Sequence, residues 1–186
     1  MRPLYSLLTP LLVGTLASFA AAEAKADLLS DIKGRGEIVV ATEARYAPFE
    51  MIEDGKIVGY GKDLLDAIML DLPGVKLKQL DVPFQGILPG LSSKRFDFVA
   101  TSLTITKARA ESFAFTLPFS TASVAVLKRK GDARINSAED LIGMVVGSQA
   151  GAPQIDVLKE YERTVLQPTK NSGVKEIKAF MDYNEA

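Results

Sequence analysis

Residues 101–109 read TSLTITKAR and place four hydroxyl groups ahead of an arginine. If Thr106 is the N-cap of a helix, Arg109 falls in the first helical turn, where the positive end of the helix dipole disfavours a cation. No carboxylate lies four residues before Arg109 or three or four residues after it. A guanidinium fork, hydroxyl groups and backbone N–H groups at a helix start suit a bound carboxylate, and a solvated arginine beside a capping threonine is the alternative.

Two further segments carry side chains that could contact a ligand. Glu43 and Tyr46 lie in EARYAPFE, directly after a predicted strand, and Phe84 lies in VPFQG. Ligands of open α/β sheets bind beyond the carboxyl ends of the strands, so residues in these loops are well placed. An aromatic ring there could stack on a ligand, and Glu43 could meet a cation. The alternatives are a core aromatic for Phe84 and an exposed loop carboxylate for Glu43.

Residues 145–154, VVGSQAGAPQ, predict a strand, a glycine-rich turn and the start of a helix. Backbone N–H groups converge on an anion at such a turn. Gly147 and Gly151 match neither the dinucleotide fingerprint nor the P-loop, since no third glycine and no Gly-Lys-Ser/Thr follow. The segment is compatible with an anion contact and does not define one.

The composition excludes several classes of chemistry. The chain of 186 residues contains no histidine and no cysteine, which removes thiolate nucleophiles, Ser-His pairs, disulfides and the usual zinc ligands. We expect no metal ion and no cofactor. A formal net charge of -1 without a basic block lacks the electrostatic footprint of a nucleic-acid-binding protein. Any catalysis would rest on carboxylates, lysine, tyrosine or serine.

The N-terminus is typical of a secretory signal peptide. Arg2 gives a short positive start, residues 4–16 are predominantly apolar, and small residues follow, so we predict a signal peptide over residues 1–26. Cleavage after Ala22 and cleavage after Ala26 both fit. An uncleaved membrane anchor is the alternative, but the apolar run is shorter than the ~20 residues that span a bilayer. No cysteine follows that could carry a lipid, so we expect a free protein in the periplasm.

From residue 27 onward, apolar runs of strand length alternate with segments of helical period, which predicts an α/β fold with mostly parallel sheets. The pair Asp54 and Gly55 predicts a hairpin. The predicted elements of this half are helices at 27–36, 61–74 and 85–93, a helix start at 106–112, and strands at 37–42, 75–82 and 96–100. The second helix is expected to bury one apolar face, formed by Leu64, Leu65, Ile68 and Leu72.

A second α/β series follows the segment FAFTLPF. Its predicted strands lie at 121–130, 144–148 and 163–168, and its predicted helices lie at 137–143, 152–161 and 172–181. We assign residues 27–118 to a first lobe and residues 119–186 to a second lobe. The last residues resemble the start of a further helix, so we expect the second lobe to be incomplete and the sequence to be a fragment.

Taken in this order, the segments resemble the bacterial extracellular solute-binding proteins that deliver polar amino acids to ABC transporters. The resemblance runs from about Glu37 to the C-terminus and is carried by YAPFE, GKIVGYGKDLL, PFQGILPGLSSKRFDFV, SLTITKAR, FAFTLPF and SAEDLIGMVVGSQAG. Each motif is loose, and their joint order is specific. The resemblance implies a two-lobed periplasmic-binding-protein type 2 fold that holds its ligand between the lobes.

The resemblance also implies a set of ligand contacts. Arg109 would clamp the α-carboxylate of an amino acid, and Tyr46 and Phe84 would sandwich the ligand. Glu43 would lie where some members place an acid for a basic side chain. At the carboxylate, Arg109 would be assisted by Thr104 and by backbone or hydroxyl groups of Thr101 and Ser102. The second-lobe turn at Gly151 and Ala152 would close over the carboxylate.

The chain departs from the family pattern in the second-lobe turn. Many members have Thr or Ser after its glycine, whereas Ala152 and Pro153 supply no hydroxyl and Pro153 supplies no N–H. The family's acid for the ligand α-amino group lies in a later strand, which this sequence does not reach. The second-lobe contacts to the ligand are therefore less well defined than those of the first lobe.

We expect the amino-acid-binding component of an ABC transporter, and not an enzyme. Its expected partners are the amino acid and the membrane permease, and we expect a monomer when the protein is complete. Two alternatives remain open. One is an enzyme similar to cyclohexadienyl or arogenate dehydratases, which use a carboxylate as general acid. The other is the ligand-sensing module of a larger receptor.

Overall fold

The computed structural model describes residues 27–185, and the signal peptide predicted for residues 1–26 lies outside them. The N-terminal unit, residues 28–110, contains α1 (Leu28–Arg35), β1 (Glu37–Thr42), β2 (Met51–Glu53), β3 (Lys56–Val58), α2 (Tyr60–Leu70), β4 (Lys76–Asp81), α3 (Phe84–Ser92), β5 (Phe98–Val99) and α4 (Lys107–Ala110). The C-terminal unit, residues 138–180, contains a 3₁₀ helix (Ala138–Leu141), β6 (Val145–Gln149), α5 (Pro153–Tyr161), a π-helical turn (Glu162–Leu166), α6 (Gln167–Lys170) and β7 (Glu176–Phe180).

Strand β1 is the centre of a three-stranded parallel sheet with the order β4-β1-β5. Its register against β4 runs from Glu37 opposite Lys76 to Thr42 opposite Asp81, and β5 pairs with its other side. Parallel neighbours require crossover connections, which contain α2 and α3. All three strands therefore end at the same edge of the sheet, where the loops after β1 and β5 meet.

Successive side chains of β1 point to opposite faces of the sheet, and a core cluster covers each face. One core cluster packs beneath α1 and α2 and consists of Ile32, Ile38, Val40, Leu65 and Leu72. The other packs beneath α3 and consists of Ala41, Val82, Ile87 and Phe96. Because full burial of a large aliphatic or aromatic side chain contributes about 1.5–3 kcal/mol, these two clusters hold the strand ends in place.

The apolar face predicted for α2 is rotated in the structure. Leu65 and Leu72 are buried as expected, but Leu64 and Ile68 are 41% and 38% exposed. Met69 packs against the core instead. The inward positions are spaced by four and three residues along the helix, and each neighbouring position is turned away from them by about 100°.

The C-terminal unit is built on a parallel pair, in which Val145 of β6 lies opposite Glu176 of β7 and Gln149 lies opposite Phe180. The predicted helix at residues 172–181 is therefore wrong. Pairing with β6 gives the backbone of β7 its hydrogen-bond partners, and a partner strand so distant in sequence is not revealed by local periodicity.

The predicted strand at residues 163–168 is also wrong, because the helical path of α5 continues through the π-helical turn into α6. Arg163 pairs with Glu160 one turn earlier at 2.6 Å, and the hydroxyl of Thr164 donates to the carbonyl of Glu160 at 2.7 Å. Leu166 is fully buried. These local bonds and the burial of Leu166 outweigh the strand preference of threonine and valine.

The predicted strand at residues 121–130 is wrong as well, since these residues form part of an irregular segment between α4 and the 3₁₀ helix. No strand of the described chain pairs with them, and an unpaired strand leaves its backbone groups to water. Leu117 and Leu127 in this segment are 90% and 98% exposed. The lobe boundary that we predict between residues 118 and 119 falls here and stays a prediction.

Gly90 on α3 lies so close to Phe96 that an added Cβ would be 2.5 Å from two atoms of the ring. Phe96 is buried in the core, so the ring has no room to turn away. We predict that Gly90→Ala lowers the free energy of unfolding by about 1–3 kcal/mol, the usual cost of overpacking a core. Chemical denaturation followed by circular dichroism measures the change.

Gly34→Ala is the matched control for this substitution. Gly34 is also helical, but nothing lies within 4 Å of a Cβ added there. Since alanine is the better helix former by about 1 kcal/mol, this variant should be neutral or more stable. Equal effects of the two substitutions would contradict the packing argument.

Candidate functional site

A small cleft lies between the two units, where the loops after β1 and β5 face the turn after β6. Its volume is about 50 Å³. The residues that line it are Glu43, Tyr46, Phe84, Thr101, Ser102, Thr104, Ala122, Ser123, Gln149, Pro153, Gln154 and Tyr183. Six of the nine ligand contacts predicted from the sequence thus lie in one cleft. The other three adjoin it and are Arg109, Gly151 and Ala152.

Thr42 ties together the carboxyl ends of β1, β4 and β5 from a fully buried position. Its hydroxyl donates to the carbonyl of Ala100 at 2.7 Å and accepts from the side-chain amide of Gln79 at 2.8 Å. The next residue, Glu43, donates its backbone N–H to the hydroxyl of Thr101 at 3.3 Å. Glu43 and Thr101 therefore enter the cleft from a well-anchored edge of the sheet.

Glu43 is buried, with 4% of its surface exposed, and its carboxylate faces the C-terminal unit. The side-chain amide of Gln149 donates to Glu43 Oε1 at 2.5 Å and to the carbonyl of Met181 at 3.3 Å. Burial raises the pKa of Glu43, and the hydrogen bond from Gln149 opposes that rise. Gln149 Oε1 is buried without a hydrogen-bond partner in the described chain, so an acceptor beside the acid is unused.

Arg109 lies in the first turn of α4 as predicted, because the hydroxyl of Thr106 accepts from its backbone N–H at 3.2 Å and caps the helix. Its guanidinium donates to the carbonyl of Thr104 at 2.8 Å and to the carbonyl of Gly151 at 3.0 Å. No acid in the described part of the chain forms an ion pair with it. Burial lowers the pKa of Arg109, and the charge of Asp156 opposes this. The site therefore holds a half-buried cation whose hydrogen-bond acceptors are neutral.

The aromatic residues of the cleft form two groups. Tyr46 stacks on Phe49 with 5.6 Å between ring centres, and its ring lies 5.8 Å from that of Tyr183. Phe84 lies beneath Arg109, whose guanidinium carbon is 5.6 Å from the ring centre, a cation–π distance. Tyr46 and Phe84 both line the cleft, and their sandwiching of a ligand stays a prediction.

Glu50 is an acid beside the cleft that the sequence analysis missed. Its side chain is 1% exposed, its Oε1 accepts from the hydroxyl of Ser102 at 2.9 Å, and its Oε2 has no partner in the described chain. Burial, with a smaller contribution from the charge of Glu43, raises the pKa of Glu50 to about 7 against the hydrogen bonds from Ser102. In the sequence, Glu50 looks like any loop carboxylate, because the residues that bury it lie far along the chain.

Three cleft residues from the C-terminal side were also missed: Gln149, Gln154 and Tyr183. Gln149 is the last residue of β6, so the rule that ligands lie beyond strand ends could have found it. Tyr183 follows β7, and the wrong helix prediction there concealed its position. The hydroxyl of Tyr183 donates to Gln154 Oε1 at 3.3 Å, which brings these two side chains into the cleft together.

Contacts around the cleft link the N-terminal unit to the residues that follow β7. Arg45 lies 4.0 Å from the carboxylate of Asp182, and it also pairs with Asp81 of its own unit at 3.0 Å. Gln85 Nε2 donates to Met181 Sδ at 2.8 Å. The cleft, of about 50 Å³, has room for a few water molecules.

The cleft and its border present both hydrogen-bond donors and hydrogen-bond acceptors. Arg109 offers donors to an anion, and Glu43 and Gln149 Oε1 offer acceptors to a cation. Between residues 27 and 185, no group of three or more Asp or Glu side chains could hold a metal ion. Over the same residues, no helix has the length and apolar character needed to cross a membrane.

Comparison with solved structures identifies the fold. The P235GK mutant of ArgBP from T. maritima superimposes with a TM-score of 0.73 at 32% identity, over 86% of this chain and 66% of that one. The ancestral amino acid-binding protein AncCDT-1, a precursor of cyclohexadienyl dehydratase, gives a TM-score of 0.73 at 32% identity, over 86% of this chain and 67% of that one. The chain has the predicted periplasmic-binding-protein type 2 fold and covers its second lobe in part.

Comparison of sequences identifies the family. The arginine-binding extracellular protein ArtP of Bacillus subtilis (strain 168) is 31% identical over 150 residues, which are 81% of this chain and 58% of ArtP. The chain spans about half the length of the curated relatives that it matches. The family profile of bacterial extracellular solute-binding proteins, family 3, matches residues 38–185. The chain therefore belongs to the bacterial extracellular solute-binding proteins of family 3.

Proposed function

We propose that this chain is the amino-acid-binding component of an ABC transporter and that it works in the periplasm after removal of its signal peptide. The observation that carries the proposal is Arg109, a half-buried cation beside the cleft with carbonyl oxygens as its hydrogen-bond acceptors. A carboxylate would bind there as an ion pair with two parallel N–H···O bonds, which adds the attraction of a full opposite charge that the carbonyl oxygens lack. Every amino acid carries such a carboxylate.

Binding exchanges one partner of Arg109 for another. The carbonyl of Gly151 belongs to the turn after β6, so it leaves the guanidinium when the two units separate, and the ligand carboxylate takes its place. The N–H of Ala152 donates to the carbonyl of Gln149 at 3.2 Å. Ala152 therefore stabilises this turn and does not donate a hydrogen bond to the ligand. The lobes, assigned to residues 27–118 and 119–186, then close around the ligand by a hinge motion.

The ligand carries a second positive charge, which binds at Glu43. This acid is buried, and its hydrogen bond in the closed cleft comes from a neutral amide, that of Gln149. A ligand ammonium or guanidinium replaces that amide with a donor of opposite charge, and the ring of Tyr46 offers it an aromatic face. The name of ArtP, an arginine-binding protein, supports an amino acid with a basic side chain.

The partners of the chain follow from this role. The ligand-loaded, closed protein docks as a monomer on the membrane permease of the transporter, which receives the amino acid when the lobes reopen. The proposal involves no nucleic acid, no metal ion and no cofactor.

A dehydratase related to cyclohexadienyl dehydratase is the second candidate function. The observation that favours it is the pair of buried acids, Glu43 and Glu50, whose pKa values are both raised, as a general acid requires. The likeness to AncCDT-1 also supports it. Against it, Glu50 faces Ser102 instead of lining the cleft, and Glu43 is held by Gln149.

Arg109→Ala should weaken amino-acid binding by about 30-fold or more, because losing one partner of a buried charge pair costs about 2–5 kcal/mol. Isothermal titration calorimetry with the common amino acids at pH 7 measures this. Arg129→Ala is the matched control, since Arg129 is exposed and is not among the residues that line the cleft. An amino acid that binds wild type and Arg109→Ala equally well would rule out the carboxylate role of Arg109.

Glu43→Gln should lower the affinity for L-arginine about tenfold while changing the affinity for L-glutamine little, because the variant keeps the shape and loses the charge. The raised pKa of Glu43 gives the sign of the pH dependence: the carboxylate is lost as the pH falls through that pKa, so arginine affinity declines on the acid side. Competition calorimetry at several pH values measures both effects. Glu53→Gln, on exposed β2, is the control, and a parallel loss for both amino acids would contradict the role in selectivity.

The dehydratase alternative is tested by incubating the wild-type protein with prephenate or arogenate. We expect no increase in the absorbance of an aromatic product, because neither buried acid is free to protonate a leaving group in the cleft. Product formation that disappears in Glu43→Gln would replace transport by catalysis as the function.

A further inference from the structure

Glu50 is a buried acid that the proposed ligand contacts leave unused. It lies at the end of the loop that leads from β1 to β2, and its main chain is bonded twice to Tyr46. The N–H of Tyr46 donates to the carbonyl of Glu50 at 2.7 Å, and the N–H of Glu50 donates to the carbonyl of Tyr46 at 3.0 Å. The position of Glu50 is therefore fixed relative to a residue that lines the cleft.

The two oxygens of the Glu50 carboxyl group have different surroundings. Oε1 accepts from the hydroxyl of Ser102 at 2.9 Å, whereas Oε2 is buried with no partner among the described residues. A Cβ added to Gly61 would lie 2.5 Å from Oε1, so the first turn of α2 closes over the carboxyl group. The position of Gly61 and the hydrogen bond to Ser102 hold the carboxyl group in one orientation.

Ser102 connects this buried acid to the cleft, because it lines the cleft and bonds to Glu50 at the same time. A serine hydroxyl has one hydrogen and two lone pairs. When the hydrogen is donated to a Glu50 carboxylate, Ser102 Oγ offers only lone pairs to the cleft. When Glu50 is protonated, the carboxyl group can donate its own hydrogen to Oγ, and the serine hydrogen is released towards the cleft.

We propose that Glu50 is a positioning residue that, as a carboxylate, makes Ser102 a hydrogen-bond acceptor for a cationic N–H group of the ligand. The proposal rests on the proposed function, which supplies an amino acid with such a group. It assigns Ser102 to the cation of the ligand, whereas the sequence resemblance places Ser102 beside the carboxylate. The protonated form of Glu50 reverses the preference of Ser102 from acceptor to donor.

The groups around Glu50 determine the pH at which this reversal occurs. Burial raises its pKa to about 7, the side chain and backbone N–H of Ser102 act against burial, and the negative charge of Glu43 adds to it. The charged residues in the first turn of α2, Lys62 and Asp63, are not among the groups that shift this pKa. Below about pH 7, Ser102 therefore donates into the cleft, and above it Ser102 accepts, so affinity for a cationic ligand rises with pH.

The link between Glu50 and Ser102 is tested first without any ligand. Carbon-13 NMR of the glutamate carboxyl groups follows the titration of Glu50, whose resonance is the one missing in Glu50→Gln. We expect a midpoint near pH 7 in the wild type, as its pKa indicates, and a higher midpoint in Ser102→Ala, because that variant removes a hydrogen bond that favours the charged form. A midpoint that Ser102→Ala leaves unchanged overturns the proposal, whether or not any amino acid binds.

The effect on the ligand is tested by calorimetry with L-arginine between pH 5.5 and 8.0. Wild-type affinity should rise about tenfold across this range. Because Glu50→Gln cannot ionise, its affinity should lack the part of the rise that comes from ionisation of Glu50. In the Ser102→Ala background, adding Glu50→Gln should change nothing further, because Glu50 acts through Ser102. Glu53→Gln should keep the wild-type profile.

Two results distinguish a failure of the positioning role of Glu50 from a failure of the proposed amino-acid-binding function. If wild type and Glu50→Gln bind L-arginine with the same pH profile, or if their difference persists without Ser102, the positioning role is overturned. If the wild type does not bind L-arginine but Ser102→Ala still moves the Glu50 midpoint, the link between Glu50 and Ser102 stands and the proposed ligand is wrong.

Discussion

The cleft depends on one constraint, which is that buried charges need hydrogen-bond partners. The N-terminal unit contributes a cation, Arg109, and an acid, Glu43. The end of β6 and the turn after it satisfy both at once, with the carbonyl of Gly151 on the guanidinium and the amide of Gln149 on the carboxylate. In the proposed binding mode, these neutral groups stand where a charged ligand would bind, and the ligand would have to offer bonds at least as good as theirs.

The two sides of the cleft differ in how firmly they are built. On the N-terminal side, Thr42 joins three strand ends and two core clusters cover both faces of the sheet. On the C-terminal side, the sheet has two strands in the described chain, and apolar residues of its strand and helix, Val145 and Val157, are each 48% exposed. The proposed ligand anchors thus sit on the well-packed unit, and the groups that would move away in the proposed binding mode belong to the other one. This division suits hinge motion.

Sequence reasoning succeeded where short-range signals agree with one another. The cap at Thr106 and the hairpin at Asp54 are local features. The segments after β1 and β4 were predicted as site loops because they follow strand ends, and the segment after β5 was predicted from its hydroxyl groups and from an arginine at a helix start. Sequence reasoning failed at residues 121–130 and 172–181, where the outcome depends on whether a distant strand is available for pairing, and at residues 163–168, where side-chain bonds to Glu160 and the burial of Leu166 favour a helical path. Glu50 was missed because its contacts with Gly61 and Ser102 join segments that are separate in the sequence.

In the proposed binding mode, the same constraint explains how one cleft could hold amino acids by a common group and still select among them. The proposed Arg109 contact would be satisfied by any α-carboxylate and so would carry no side-chain information. Selection would fall to Glu43, where the side chain of the ligand would compete with the amide of Gln149. A neutral side chain would only match that amide, whereas a cation would add the attraction of a full opposite charge. The energetic advantage of displacing Gln149 would therefore be largest for ligands that carry a second positive charge.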